Sequence, residues 1–398
     1  TIMDKNNVYL ASKPRYEILD GLRGVAAVLV VLFHIFEPYS SGPRDQIINH
    51  GYLAVDFFFA LSGYVIGYAY DDRWDKMSRW NFYKRRLVRL HPMVIMGTFL
   101  GLCTFYLADS PTCPLIHDAN WLMVLGLALY ALTMLPALPS WDIRGWVETN
   151  TFAGPVWSLQ YEYVANILYA LFFRKMSKVW LSVFVVLFGL LTINLCLSLD
   201  LFGLWANRTN EIYTVIGGWS FSLDQIVIAL SRVLFPFFAG LLLSRIGKVI
   251  KVRGGFWWCT LLIIAMLAMP RIGFGEWSWL NGLYEAVCII VLFPIVLAVG
   301  AGSKMTDVRS KKICTFLGEL SYPLYITHYT YFYLMRGWLS THQNVPLAQH
   351  IMVNVGLFFM AIMTAYASYK LYDVPVRDWL RRKLFKSSQS TSSLPQSK

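Results

Sequence analysis

Two ionisable residues inside an apolar run are the first place where chemistry can be read in this chain. Between Ile18 and Glu37, in ILDGLRGVAAVLVVLFHIFE, Arg23 and His34 stand eleven positions apart. At 100° and 1.5 Å per helical residue they are about 20° apart in azimuth and about 16 Å apart in height. They share one helix face, and Asp20 lies one turn before Arg23. Hydrocarbon penalises such groups by at least a few kcal/mol, so an intramembrane ionisable residue is read first as functional. Neutral imidazole can take a proton from an alcohol and return it to a leaving group near neutral pH. Alone, the arginine could snorkel to headgroups and the histidine could simply pack. The pair on one face points instead to a line from a binding site to a reactive centre near mid-membrane. Glu37 is an alternative partner for His34, at the outer end of the run.

A second carboxylate, Glu162 in GPVWSLQYEY, falls seven residues after Pro155, inside another apolar run, and needs a partner there. Ser158, at i−4, is the local choice. The functional reading is that Glu162 orients and polarises His34, as the third member of a triad orients its base. Arg85, Arg86 and Arg89, in RRLVRLHP, can share one helical surface, and Pro92 is expected to begin the next span. The cluster reads either as a topology signal or as guanidinium forks for a phosphorylated cofactor. Asp56, Ser62, Tyr322, Tyr325 and His328 are weaker candidates, each equally suited to linking helices.

The elements that must position these residues are apolar helices. Hydrophobic residues make up 57% of 398 positions and charged residues 15%, against about 25% charged in soluble proteins. The expected fold is all-α, a polytopic transmembrane helical bundle without a separate soluble domain. The net charge of +12 gathers in short clusters beside the apolar runs, including Lys84 to Arg89, Arg174 to Lys178 and Arg377 to Lys386. Such clusters mark cytoplasmic loops, so the basic balance does not point to nucleic acid. Both termini are expected on the cytoplasmic side. Residues 1–17 form a polar segment lacking the pattern of a cleaved signal peptide, 18–380 the membrane domain, and 381–398 a disordered tail. Two apolar runs between residues 92 and 154 conflict with the charge bias unless one fails to cross. The segment 121–138, bounded by Pro136 and Pro139, is expected to be re-entrant or interfacial, leaving about ten spans. A sequon, Asn207-Arg208-Thr209, lies in the longest outer loop. Six scattered cysteines show no CxxC pair or zinc-ligand spacing, so neither a disulfide framework nor a metal is expected.

In chain order, the Arg-x10-His helix, VDFFFALSGYVI, RRLVRLHP, PVWSLQYE, LGELSYPLYITH and YDVPVRDWL resemble the acyltransferase-3 family of integral-membrane O-acyltransferases, over roughly residues 16 to 380. The resemblance implies an acyl group, most often acetyl, taken from acyl-coenzyme A on the cytoplasmic side. The implied acceptor is a hydroxyl of a carbohydrate, glycolipid or glycosylated product, and the implied location is a bacterial inner (plasma) membrane. Arg23 and His34 match the pair regarded as essential in the family, and Arg85, Arg86 and Arg89 its proposed coenzyme-binding arginines. Arg23 is expected to serve the coenzyme as well as catalysis. Glu162 matches the acidic residue of the Trp157-Ser158-Leu motif, and His328 falls in the final motif. Several relatives carry a soluble hydrolase-like domain after the last span. With this chain stopping soon after residue 386, transfer is expected to be completed in the membrane domain or by a separate partner. The competing class is a proton-coupled transporter or lipid-linked-sugar flippase, since intramembrane His, Arg and Glu also mark proton relays. The absence of a visible repeat and the arginine cluster argue against it.

Overall fold

The computed structural model describes residues 10–11, 13–42, 45–206, 208 and 212–385. The expected sequon, at Asn207 and Thr209, and the expected disordered tail beyond residue 385 lie outside the described residues. Thirteen α-helices follow one another, and among the described residues there is no β-strand. They are α1 Glu17–Phe36, α2 Ala54–Tyr70, α3 Arg79–Cys103, α4 Trp121–Ala131, α5 Val156–Leu171, α6 Lys178–Cys196 and α7 Leu223–Ile246. After these come α8 Gly255–Ala268, α9 Trp279–Val287, α10 Phe293–Gly302, α11 Val308–Thr341, α12 Leu347–Ala367 and α13 Val374–Leu384. Short π-helical turns at Cys288–Leu292 and Ser368–Asp373 join α9 to α10 and α12 to α13. The starts of α3, α4, α6 and α11 are capped by Ser78, Asn120, Ser177 and Asp307, whose side chains accept from free backbone N–H groups.

Among the described residues, seven segments are long and apolar enough to cross a membrane: α1, α2, α3, α6, α7, the α9–α10 unit and the α12–α13 unit. The chain is therefore an integral membrane bundle. Three segments expected as spans fall outside the seven, namely α5, α8 and α11. The first two are short, at 16 and 14 residues. By contrast α11 is long, at 34 residues, but polar. Its main neighbours are α1, α12 and α3, which cover it, so it can carry Tyr, Ser, Thr and His that a lipid-facing helix could not. With 11 residues, α4 is about 16 Å long, roughly half the hydrocarbon thickness. It cannot cross as a helix.

Pro92, expected to open the third span, lies inside α3. Proline removes one hydrogen bond from a helix interior, and here the turn before it is held by the Ser78 cap and by buried Phe82 and Arg86. The arginine cluster therefore belongs to the same rigid rod as the apolar half of α3.

Two helix pairs approach especially closely, through glycine. A Cβ on Gly24 of α1 would lie 2.2 Å from the Leu317 carbonyl oxygen of α11. One on Gly63 of α2 would lie 1.7 Å from the Phe237 carbonyl oxygen of α7. Small residues let membrane helices approach backbone to backbone, and any side chain at these positions would separate them. The α1–α11 rungs run in the same order along both helices: Glu17 with Cys314, Arg23 with Ser321, and His34 with His328. The two helices are parallel.

Candidate active site

The last turn of α1 and the middle of α11 bring two imidazoles together. Nδ1 of His34 lies 3.0 Å from Oε2 of Glu37, in the turn that follows α1. An ionised carboxylate only accepts, so Nδ1 carries the proton and Nε2 keeps its lone pair, a tautomer assigned from the partner. The His328 ring stacks on His34 with centroids 5.4 Å apart and planes 27° apart. Nδ1 of His328 donates towards the carbonyls of Leu324 and Tyr325, at 3.0 and 2.9 Å. By the same logic its Nε2 is bare, and that buried atom has no protein partner. Tyr329 and Phe332 of α11 close round His34, each with its ring centroid at 4.9 Å. Both histidines line a small cleft between α1, α11 and α12, walled also by Val31, Tyr331, Phe332 and Met335.

Towards the start of α1, Nε of Arg23 donates to Oγ of Ser321 at 2.8 Å, and Nη2 lies 3.2 Å from Asp20. Arg89 and Arg15 are near enough for their charges to act on Arg23. Arg89 also acts on Asp373 and Arg377 at the start of α13. A cationic group from α1, α3 and α13 therefore sits at the end of the α1–α11 pair opposite His34.

The arginine cluster divides. The side chain of Arg86 is buried, and its Nη2 donates to Oε1 of Glu162 at 2.6 Å. Arg85 donates through Nε to Asn81 at 2.6 Å and lies over the Phe385 ring at 4.5 Å. The expected common surface fails because positions 85 and 89 are four apart, whereas 86 points about 100° away.

Glu162 does not meet His34. Its Oε1 accepts from Ser62 of α2 and from Arg86 of α3, both at 2.6 Å, so the carboxylate ties α2, α3 and α5 together. Nor does Ser158 satisfy Glu162. Its hydroxyl donates to the Pro155 carbonyl at 2.9 Å and is 2.8 Å from the Tyr325 hydroxyl. The Tyr325 ring lies 6.2 Å from that of His328, so Ser158 and Tyr325 support the histidine pair from behind. The Tyr322 hydroxyl donates to the Leu90 carbonyl at 2.6 Å, a link between helices. Asp56 is paired elsewhere, across α2 and α7. Arg232 of α7 donates to it at 2.7 Å, with both side chains buried, and the guanidinium lies 5.2 Å from the Trp157 ring.

Sequence reasoning missed the wall on the far side of His34. In the segment between α4 and α5, Arg144 is buried and donates to the Thr151 carbonyl at 3.1 and 3.0 Å. Glu148 accepts from the Tyr333 hydroxyl of α11. Burial pushes its carboxyl up to about 8, against the opposing effects of Tyr333 and Arg144. Trp146, between them, packs on Tyr329, Phe332 and Tyr333. The available signal was the density of aromatic and charged residues in WDIRGWVET.

A protein-family model described as an acyltransferase domain matches residues 16–372. Among curated proteins, "Protein 2 in picA locus" of Rhizobium radiobacter is 34% identical over 165 residues, covering 39% of this chain and 81% of its own length. The O-acetyltransferase OatA of Staphylococcus aureus is 25% identical over 390 residues, 92% of this chain. A putative O-acetyltransferase of the same species is 22% identical over 376 residues, 90% of this chain. The chain spans only 58% and 57% of the lengths of these last two. No solved structure matches.

Proposed function

Because the chain belongs to the acyltransferase-3 family, we propose that it transfers an acyl group, acetyl in the first instance, from acyl-coenzyme A to a hydroxyl of a carbohydrate or glycoconjugate. The observation that carries the proposal is the Glu37–His34–His328 group, with its bare ring nitrogens, His34 being on the same helix as Arg23 and at the opposite end from the cations. Coenzyme phosphates dock on Arg89, Arg85 and Arg23 at the cytoplasmic face. The pantetheine arm follows α1 and brings the thioester carbonyl to His34. The thioester is already activated, so the protein's work is to position the reactants and manage one proton.

Nε2 of His34 takes the proton from the acceptor hydroxyl as its oxygen attacks the thioester carbonyl. The tetrahedral intermediate then expels the coenzyme thiolate, which collects that proton from Nε2. Glu37 holds the productive tautomer and steadies the transient imidazolium. This is the role first expected of Glu162, whose task in the proposal is to fix Arg86. His328, supported by Tyr325 and Ser158, holds the His34 ring in place by stacking. Counting α5, α8 and α11 with the seven apolar segments makes ten crossings. Parallel α1 and α11 need an odd number of crossings between them, and α2, α3, α5, α6, α7, α8 and the α9–α10 unit supply it. Both termini then lie on the cytoplasmic side of a bacterial inner membrane.

The test is calorimetric binding of acetyl-coenzyme A to the purified protein, followed by acceptor-dependent coenzyme release. Arg23→Ala with Arg89→Ala should weaken binding at least tenfold, as two charge-assisted phosphate contacts are lost. His34→Ala should bind normally and lose on the order of 10²–10⁴ in turnover. Absence of binding to folded protein by acetyl- and longer acyl-coenzyme A would remove the proposal.

A further inference from the structure

Arg336 is a half-buried cation without an anion. Elsewhere in the bundle, four buried or half-buried arginines each have a carboxylate: Arg86 with Glu162, Arg232 with Asp56, Arg245 with Asp71, and Arg377 with Asp373. Among the described residues Arg336 has no hydrogen-bond or ion-pair partner. Its guanidinium instead lies over two rings, 5.2 Å from the centroid of Trp146 and 5.4 Å from that of Phe332. An arginine left with only π-faces retains the five donors of its fork for an incoming acceptor group.

Its position says what that group belongs to. Arg336 stands eight residues beyond His328 on α11, about 12 Å further from the Arg23 end. The Phe332 ring that it covers touches His34. Phosphates of a coenzyme bound at Arg23 and Arg89 lie on the other side of His34 and cannot reach it. Nor is Arg336 placed as a headgroup anchor on the lipid face. It shares its helix face with Tyr329, Phe332 and Tyr333, the face turned towards Trp146.

The platform under it is held with some force. Asp142 accepts from the backbone N–H groups of Arg144, Gly145 and Val147. Val147 is thereby kept at φ +54°, a left-handed conformation that a β-branched residue avoids. Nε1 of Trp146 donates to the Thr112 carbonyl at 2.6 Å, which fixes the indole against α11. Glu148, an acid on this loop, is buried against Tyr333 and does not pair with the guanidinium.

We propose that the acceptor bears an anionic group, a carboxylate, phosphate or sulfate, beside the hydroxyl to be acylated, and that Arg336 binds it while Trp146 and Tyr329 pack against the sugar face. The inference rests on the acyltransferase reading, since it takes the side of His34 remote from the coenzyme as the acceptor side. It turns a general carbohydrate acceptor into an acidic one.

The experiment compares methyl β-D-glucuronide with methyl β-D-glucoside, which differ only in the carboxylate, using the full chain in nanodiscs of zwitterionic lipid. Saturation-transfer NMR without donor reads binding, and acetyl-coenzyme A turnover reads kcat/KM. The expected result is a preference for the glucuronide of roughly tenfold or more, the scale of a charge-assisted pair. The preference should collapse towards unity in Arg336→Gln and return in part in Arg336→Lys. Equal binding of the two glycosides, no saturable binding of either, or a preference that survives Arg336→Gln would each overturn it. If Arg336→Gln lowers both glycosides alike and weakens association with anionic lipid, Arg336 is a headgroup anchor and the proposal fails. Charge-selective binding without acetyl transfer would leave the anion site standing and remove the acyltransferase reading instead.

Discussion

The α1–α11 and α2–α7 pairs are built alike and end in opposite chemistry. Both bring helix backbones together at glycine, and both bury charged or titratable side chains between them. In α2–α7 those groups are matched. Arg232 gives its donors to Asp56 and to the carbonyls of Tyr52 and Gly217, and Asp56 takes both of its contacts from Arg232. In α1–α11 the matching is incomplete, and the remainder faces open space. His34 has one nitrogen engaged, Nε2 of buried His328 has no partner, and both rings line a cleft. Buried charge therefore does not mark the site. In the site proposed above, the distinguishing feature is an uncommitted lone pair beside a cleft.

The comparison breaks most visibly at its satisfied half. Asp56→Ala leaves Arg232 buried and unpaired and should cost about 3–5 kcal/mol of stability, read from thermal unfolding in detergent. Replacing both partners with Leu and Met should restore most of the loss, because a buried pair is worth little against a well-packed apolar one. His34→Ala should change unfolding by no more than about 1 kcal/mol while abolishing turnover. If the two substitutions exchanged these phenotypes, the division between a structural and a reactive pair would be wrong.

Glu37 sharpens the comparison from the reactive side. Glu37→Gln keeps an oxygen for the Nδ1 proton but removes the charge, and turnover should fall roughly tenfold. With Ala, which also loses the orientation of the ring, about a hundredfold is expected. Coenzyme binding should be unchanged in both. Equal and negligible effects would return the orienting role to another group.

A separate test, local to one segment, is a pH dependence in the loop carrying Glu148. Its carboxyl, near 4.5 when unperturbed, is raised to about 8 in the fold, so the folded state binds the proton more tightly. The resulting stabilisation is complete below about 4.5 and is lost as pH rises through 8. Hydrogen exchange in residues 136–154, corrected for intrinsic rates, should accelerate between pH 6 and pH 9. Glu148→Gln should flatten that change.

Periodicity made the α1 pair legible, because Arg23, His34 and Asp20 stand on one helix and their relation is local. Glu37 was visible for the same reason. Neither partner expected for Glu162, Ser158 on its own helix or His34 on α1, is the one it meets. Arg86 is 76 positions away and Ser62 a hundred, and no spacing rule reaches them. The division of Arg85, Arg86 and Arg89 followed from helical geometry, but which face was buried depended on α5. Hydropathy reads lipid exposure, so α1, α6 and α7 stand out by length and apolarity, whereas α11, expected as a span, carries polar residues that its neighbours shield. Trp146 was passed over because its partners Tyr329, Phe332 and Tyr333 lie far along the chain, and Arg336 because its meaning lies in what it does not touch.

The parallel course of α1 and α11 also sets an order of events during synthesis. Arg23 and its partner Ser321 are separated by 298 positions. At about 5–20 residues per second, the ribosome needs on the order of 15–60 s to supply the second after the first. Throughout that interval α1 must wait in the bilayer with an arginine that lacks its eventual hydrogen-bond partner. Asp20, on the same helix and 3.2 Å from Arg23, is a counter-charge already to hand. It serves as a chaperone in cis, holding a costly residue until the far end of the chain arrives.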